Sequence, residues 1–337
     1  MNVSSMSDDE AASTSGDGAA RATESSAERT DPVRARYEGS HDLYGVASWE
    51  PRTALDSVAV GVHGLYRALR GSALVTLGLA LLVLQLALTG FLVFQRPVIG
   101  ALAVLSVLPA LGLVAYIWKG DPTHREPLPA MAVTFGLAIL FAGLAAVVNT
   151  VAGLPFEFIP GVGMALYFFI VVGPIEEAVK LLAVRAHAYQ QPSFDAVVDG
   201  VVYGAVAGLG FATIENLSYI SQGYLRAASI EGIGGVTLAF GTAAQRAFVG
   251  PGHVLWSALA GYYLGLARFD DEHGGPVAVK GLLVAAGIHG VYNTVVSTAS
   301  LTGLQFLAFV LVFNGAVLAV ILRKVGRYRS LYLAEES

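Results

Sequence analysis

The sequence predicts an all-α, polytopic membrane protein with about eight transmembrane helices, and three observations lead to that prediction. Hydrophobic residues fill 55% of the 337 positions and charged residues only 13%, against about 25% charged in soluble globular proteins. Mean hydropathy is +0.63. Eight apolar stretches each approach the ~20 residues that a helix needs to cross a bilayer. We therefore expect a protein of the cell membrane, in contact with lipid.

The distribution of apolar residues divides the chain into four regions. Residues 1–42 are rich in Ser, Ala, Asp, Glu and Gly, which is typical of a disordered, acidic tail. Residues 43–71 carry apolar side chains at helical spacing, and this predicts an amphipathic helix on the membrane surface before the first span. Residues 72–325 form the predicted transmembrane domain. Residues 326–337 form a short C-terminal tail.

The spans follow one another closely, and the loops between them indicate the orientation. The eight predicted spans lie near 72–94, 98–118, 128–151, 161–188, 196–220, 234–267, 278–299 and 301–322. Segment 234–267 is long and contains Pro251-Gly252, so it is either one helix or a broken, re-entrant segment. Basic residues concentrate in alternate loops, as at Lys119 and Arg125. By the positive-inside rule, both termini are predicted to be cytoplasmic.

Composition also excludes several classes of site. The chain has no cysteine, which excludes disulfides, thiolate metal sites and cysteine nucleophiles. No patch combines many Lys or Arg residues with aromatic side chains, so we expect no nucleic-acid partner.

Two adjacent glutamates, Glu176 and Glu177, follow an apolar run in the fourth predicted span. Ionisable groups at bilayer depth are costly and are rare unless they serve a function. Gly173-Pro174 interrupts the run, and a helix that restarts there would hold both carboxylates in its first turn, where the helix dipole favours them. Lys180 is three or four residues further on and within reach of an ion pair. A simple charge pair at a helix end is the alternative interpretation.

The next three spans each carry at least one ionisable group. Glu215 falls on a stripe of small residues that includes Gly204 and Gly208, so it is predicted to point between helices. His253 follows Pro251-Gly252, and His289 lies one helical turn before Asn293. Together with the two glutamates, these side chains form a candidate active site.

Other polar residues receive simpler interpretations. We expect Arg246 to be buried and paired with a carboxylate that the sequence does not identify. Asp195 and Asp199 are expected to cap a helix or pair with basic loop residues. Three isolated polar residues within spans have no predicted function: Gln85, Asn149 and Asn314.

The ordered motifs across four spans resemble those of PrsW-type intramembrane proteases, over about residues 116–295. The motifs are Asp121-Pro122, Glu126-Pro127, Glu176-Glu177-Ala178-Val179-Lys180, Asp199-Gly200, Glu215-Asn216, Gly252-His253 and His289-Gly290-Val291-Tyr292-Asn293. They are also similar to the wider group that includes CAAX-prenyl endopeptidases and bacterial CPBP proteins. That group tends to have arginine where this chain has Leu181, which favours the PrsW branch and argues against prenylated substrates.

The resemblance implies hydrolysis of a peptide bond in or near the membrane. The implied substrate is a membrane-embedded protein, such as an anti-sigma-factor-like regulator. Six residues match the catalytic motifs: Glu176, Glu177, Glu215, His253, His289 and Asn293.

Two mechanisms suit these residue types. In the favoured one, Glu176 or Glu177, helped by His253, activates water, and His289 with Asn293 stabilises the developing oxyanion. In the alternative, zinc is held by Glu176, His253 and His289. The favoured mechanism needs no cofactor.

Two other classes of function compete with a protease. Buried carboxylates and histidines also build the relays of ion- or proton-coupled transporters, although the two halves of this chain show no repeat. A non-catalytic membrane scaffold is the third class.

Overall fold

The computed structural model describes residues 31–37, 39–69, 93–227 and 234–334, with a few isolated residues between 80 and 91. In these residues the secondary structure is helical and contains no strand. The α-helices, numbered along this part of the chain, are α1 (Pro32–Tyr37), α2 (Ala54–Leu69), α3 (Pro97–Lys119), α4 (Leu128–Gly153), α5 (Gly163–Tyr167), α6 (Gly173–Ala186), α7 (Asp199–Arg226), α8 (Gly235–Arg268), α9 (Gly274–Thr298) and α10 (Gly303–Leu333).

Five of these helices are long and apolar enough to cross a membrane: α3, α4 with its 3₁₀ extension to Phe158, α7, α9 and α10. The helical, multi-pass class is therefore confirmed. The number eight is not confirmed. The predicted span 72–94 falls largely outside the described residues, and the segments predicted at 161–188 and 234–267 form helices that do not meet the same criteria.

The long segment at 234–267 is a single helix. Helix α8 runs from Gly235 to Arg268 with Pro251 inside it, so the re-entrant alternative does not apply. His253 thus lies in the middle of a continuous helix and is buried.

Parts of both predicted tails are helical and packed in the structure. Asp31 and Val33 are fully buried. The Asp31 carboxylate accepts hydrogen bonds from the Tyr328 hydroxyl at 2.9 Å and the Val197 N–H at 3.0 Å. Helix α1 therefore packs against α10, which itself continues to Leu333. Residues 1–30 lie outside the described part.

Helix α2 turns its polar side toward the protein. Val58 is 53% exposed, whereas Asp56 and Ala59 are fully buried. The Asp56 carboxylate lies 2.6 Å from the Lys280 ammonium of α9. Burial opposes ionisation, but hydrogen bonds from Lys280 and Thr53 outweigh it and hold the pKa of Asp56 below its ordinary value. An apolar outer face suits contact with lipid, although a position on the membrane surface remains a prediction.

The centre of the bundle is α7, which packs against α3, α4, α6 and α8. Its contact with α8 is backbone to backbone, because a Cβ at Gly204 would overlap the Ser257 carbonyl, and one at Gly208 the His253 carbonyl. Only small residues allow helices to approach this closely. The contact fixes the face of α7 that carries Glu215 opposite α8.

Candidate active site

Five of the six predicted catalytic residues meet in one buried group. The His289 Nδ1 atom lies 3.0 Å from Glu177 Oε1, and His289 Nε2 lies 3.6 Å from Glu176 Oε2. The His253 Nε2 atom lies 2.7 Å from Glu215 Oε2, and the two imidazole ring centroids are 5.3 Å apart. We call these five residues the inner cluster.

The sixth residue, Asn293, lies one turn beyond His289 on α9 and is half-buried. Among the described residues it makes no hydrogen bond to the inner cluster. Its predicted role toward a substrate oxyanion stays a prediction.

The glutamate pair is positioned by an irregular turn. A π-helical turn, Phe168–Val172, precedes α6, and the Gly173 N–H donates to the Phe168 carbonyl. The chain therefore widens here and stays helical, where the sequence predicted a helix restart at Gly173-Pro174. Glycine is required at 173 because a Cβ there would meet the Ala286 carbonyl of α9. That approach of α6 to α9 brings Glu177 against His289.

Glu177 is fully paired. It accepts from the Lys180 ammonium at 2.7 Å and from the Ser257 hydroxyl at 3.2 Å, and it contacts His289 Nδ1 as described. The ion pair with Lys180 has the three-residue spacing that the sequence predicted, and both side chains are fully buried. A carboxylate with this many partners serves to orient its neighbours.

Lys180 also determines the tautomer of His253. The ammonium lies 3.0 Å from His253 Nδ1, and because an ammonium can only donate, Nδ1 is the acceptor. The proton of the neutral ring is then on Nε2, where it donates to Glu215. His253 thus connects a buried cation to a buried carboxylate.

Arg246 pairs with Glu215. The sequence predicted a carboxylate partner for Arg246 but did not identify which one. The guanidinium Nη2 lies 2.5 Å from Glu215 Oε2, and Nε donates to the Asn216 side-chain oxygen at 2.8 Å. Asn216 in turn donates to the Ser106 hydroxyl of α3 at 3.0 Å. This network holds Arg246 beside the inner cluster, although Arg246 is far from Glu215 in the chain.

Glu176 differs from the other two glutamates. Its Oε1 atom accepts from the Asn149 amide at 3.0 Å, while its buried Oε2 atom has no hydrogen-bond partner. The sequence analysis assigned no function to Asn149, and in the structure its side chain holds Glu176 in position. Nothing in the sequence distinguished Asn149 from Gln85 or Asn314, because the contact joins two different helices.

The charges of the inner cluster and its partners do not cancel. Three carboxylates, those of Glu176, Glu177 and Glu215, face the cations Lys180 and Arg246. One negative charge remains in a site where Glu176 and His289 are less than 10% exposed. Burial of an uncompensated charge is costly, so the site favours one additional proton or cation.

The residues present fit zinc in the type of their donor atoms. Glu176, His253 and His289 each offer a ligand atom, and these atoms lie within 4.8 Å of one another. The unpartnered Glu176 Oε2 is available, and a histidine whose other nitrogen contacts a carboxylate, as His289 contacts Glu177, is typical of metal ligands. His253 is less suited, because both ring nitrogens already have partners.

Comparison with known proteins identifies the family of the chain. Residues 126–321, more than half of the chain, match the family model described as "PrsW family intramembrane metalloprotease". The protein named "Protease PrsW" from Bacillus subtilis (strain 168) is 26% identical over 231 residues, covering 68% of this chain and 96% of the relative.

Two further relatives carry the same name. Protease PrsW from Geobacillus kaustophilus is 29% identical over 56% of this chain and 76% of the relative. The Clostridioides difficile protein is 27% identical over 57% of this chain and 77% of the relative. No solved structure matches the chain. The extent of the family match and the membrane-spanning helices together establish that this chain belongs to the PrsW family of intramembrane proteases.

Proposed function

We propose that the protein is an endopeptidase that cleaves a membrane-tethered protein inside or near the bilayer, as a step of regulated proteolysis. The observation that carries this proposal is the buried, unpartnered Oε2 atom of Glu176, 3.6 Å from His289 Nε2. The proposed substrate class is a single-span regulator, with an anti-sigma-factor-like protein as its first candidate. The proposed orientation has both termini in the cytoplasm.

Glu176 is the proposed general base. The other two carboxylates are each held by a cation, Glu177 by Lys180 and Glu215 by Arg246, and such pairing lowers the basicity of a carboxylate. Glu176 accepts only from a neutral amide, that of Asn149. Its open oxygen is free to take a proton from water.

The proposed reaction conserves protons on the chain. Glu176 Oε2 takes a proton from water while the water oxygen bonds to the peptide carbonyl carbon, which becomes an oxyanion. The C–N bond then breaks, its electron pair goes to nitrogen, and the proton on Glu176 is transferred to that nitrogen. General acid–base assistance of this kind contributes about 10²–10⁴-fold in rate.

His289 is the proposed donor to the oxyanion. Its Nδ1 is fixed by Glu177, so a protonated ring presents its Nε2–H toward Glu176 and the reacting atoms. Protonation of His289 also cancels the excess negative charge of the cluster. Asn293 adds a second donor from the next turn, and His253 acts as a positioning residue between Lys180 and Glu215.

A bound zinc ion, held by Glu176, His253 and His289, would polarise the peptide carbonyl and lower the pKa of a bound water. Lys180 weighs against that alternative, because its ammonium is 3.0 Å from His253 and repels a second cation. The steps above therefore use only the groups of the chain.

A cleavage assay on the purified protein with a single-span substrate tests the proposal. We expect Glu176→Gln to abolish cleavage while it retains the wild-type thermal unfolding midpoint. We expect His289→Ala to abolish cleavage as well, with a lower midpoint, because it empties a buried position. Normal cleavage by folded Glu176→Gln would rule out this site. Uptake of a solute into liposomes driven by a proton gradient, without any cleavage, would assign the cluster to transport.

Chelation separates the two mechanisms. We expect a zinc chelator to leave the rate of cleavage unchanged. Loss of activity that added zinc restores would overturn the metal-free steps and identify Glu176, His253 and His289 as ligands.

A further inference from the structure

A second group of three carboxylates lies where the loop between α3 and α4 meets the start of α7. Asp121 and Glu126 belong to that loop, and Asp199 is the first residue of α7. One carboxylate oxygen from each lies within 4.8 Å of the other two. We call these residues the loop cluster.

The surroundings of Glu126 indicate that this cluster binds a ligand. The residue is only 2% exposed, yet neither of its carboxylate oxygens has a hydrogen-bond partner. The Oδ2 atom of Asp121 is also buried without a partner. Buried carboxylates are normally paired or bound to a metal, because an unpaired buried carboxylate loses its hydration and gains no interaction in its place. Three such oxygens therefore point to a ligand.

The remaining oxygens are held by local hydrogen bonds. Asp121 Oδ1 accepts from the Thr123 N–H and hydroxyl, both at 2.7 Å. Asp199 Oδ2 accepts from the N–H groups of Asp195 and Ala196 at 2.7 and 2.8 Å. These contacts fix two of the carboxylates. Asp121 keeps its Oδ2 atom without a partner, and Asp199 Oδ1 accepts from the Thr123 hydroxyl at 3.4 Å.

Among the described residues, no basic side chain pairs with the loop cluster. In the described parts of the chain, no Lys, Arg or His forms an ion pair with its three members, and His124 of the same loop lies 3.8 Å from Asp195 instead. The negative charge of this group thus needs a positive ligand from solution or a bound proton.

We propose that Asp121, Glu126 and Asp199 bind a hard divalent cation of the Ca²⁺ or Mg²⁺ class, which joins the α3–α4 loop to α7. Carboxylate oxygens are the ligands that these ions prefer, whereas zinc prefers sites with histidine or cysteine. Asp199 and Glu215 are 16 residues apart, roughly 24 Å along a helix. The ion is therefore separate from the inner cluster. It stabilises the N-terminal end of α7, the helix that also carries Glu215.

Thermal unfolding of the full-length protein in detergent tests the site. After removal of metals with a chelator, we expect CaCl₂ or MgCl₂ to raise the midpoint temperature in a saturable manner, because an ion that binds only the folded state stabilises it. A wild-type midpoint that no divalent ion changes would overturn the proposal and leave a shared proton as the neutralising group.

Matched variants locate the effect. Asp121→Asn combined with Glu126→Gln should abolish the shift. Asp195→Asn, which removes a neighbouring carboxylate outside the cluster, should keep it, and so should Glu176→Gln in the inner cluster. An equal shift in the Asp121→Asn, Glu126→Gln protein would place the ion elsewhere and refute the assignment.

Direct binding is measurable even if that double variant does not fold. The Trp118 ring N–H donates to the Glu126 carbonyl at 3.3 Å, so excitation of this tryptophan should sensitise luminescence from Tb³⁺, a Ca²⁺ substitute. We expect Ca²⁺ to compete with it, and Trp118→Phe to lose the signal while retaining the Ca²⁺-dependent thermal shift. Absence of sensitised luminescence in the wild type would count against the site.

Discussion

The inner cluster and the loop cluster each contain three carboxylates, two of them buried and one half-buried, and they compensate the charge by different means. In the inner cluster, Lys180 and Arg246 pair with two glutamates, and imidazole rings contact all three. In the loop cluster, backbone N–H groups and one threonine hydroxyl supply the described hydrogen bonds.

This difference separates a site for chemistry from a site for binding. Cations from the chain itself pair with Glu177 and Glu215. Among the three glutamates as described, Glu176 alone keeps a buried oxygen without a partner, and that oxygen faces an imidazole. The loop cluster keeps three buried oxygens open and has no imidazole among its members. Such a site is better suited to binding a cation than to transferring a proton.

The largest expected effect concerns the open oxygen of the inner cluster. Glu176→Gln should lower the rate of cleavage at least about 100-fold, because it removes the proposed base. Glu157→Gln is a matched control, since Glu157 is an exposed carboxylate on the segment after α4 and should leave the rate unchanged. Equal rates for the two variants would show that Glu176 is not the base, and the inner cluster would then have no demonstrated role in catalysis.

Loss of a cation from the inner cluster should destabilise the fold. Arg246→Met leaves Glu215 buried without its ion-pair partner, and we expect a loss of roughly 3–5 kcal/mol in the free energy of unfolding. Adding Glu215→Gln should recover much of that loss. If Arg246→Met proves as stable as the wild type in thermal unfolding, the inner cluster is not held by its own cations.

The Asp56–Lys280 pair offers a third case, in which one carboxylate is compensated by one cation. Asp56→Asn should cost roughly 3 kcal/mol at neutral pH, because Lys280 would stay buried without a counter-charge. The exposed Asp42–Arg52 pair is the control, and Asp42→Asn should cost under about 1 kcal/mol.

The pH dependence of the Asp56 effect has a defined sign. The pKa of Asp56 is lower in the folded than in the unfolded protein, so its contribution is complete above the unfolded value near 3.8 and declines as pH falls below it. The difference in unfolding free energy between wild type and Asp56→Asn should therefore shrink in acid. A difference that grows in acid would contradict the assignment.

The smallest expected effect concerns the helix that connects the two clusters. Gly204→Ala should push α7 away from α8 and cost about 1–3 kcal/mol, because its Cβ would overlap the Ser257 carbonyl. Gly241→Ala in α8 has open space around the added Cβ and should be neutral or slightly stabilising. Thermal unfolding of both variants makes the comparison.

The sequence predicted which residues meet in the inner cluster better than it predicted the hydrogen bonds and ion pairs that hold them. Helical periodicity and the glycine stripe predicted that Glu215 points between helices, and family motifs related it to His253 and His289. The contacts of Asn149 and Arg246 were not predictable, because they depend on which helices are neighbours and on their rotation. The sequence around Asn149 and Arg246 does not indicate which helices are neighbours or how they are rotated.

The loop cluster was not predicted from the sequence, and the reason is a different one. Asp121-Pro122 and Glu126-Pro127 were noted as motif residues, and Asp199 as a possible capping residue. The Asp199 carboxylate instead accepts from the N–H groups of Asp195 and Ala196 in the loop before α7. Burial could not be inferred from a short polar loop with flanking prolines. Only the packing of the loop against α7 turns these acids inward.

The π-helical turn before Glu176 determines how this part of the chain responds to changes in length. A π turn holds one residue more than an α turn, and a helix advances about 100° per residue. Deleting a single position within 168–172 would therefore leave a regular α turn and keep the direction of Glu176 and Glu177. Deleting one position between this turn and Glu176 would instead rotate both glutamates by about 100° away from His289.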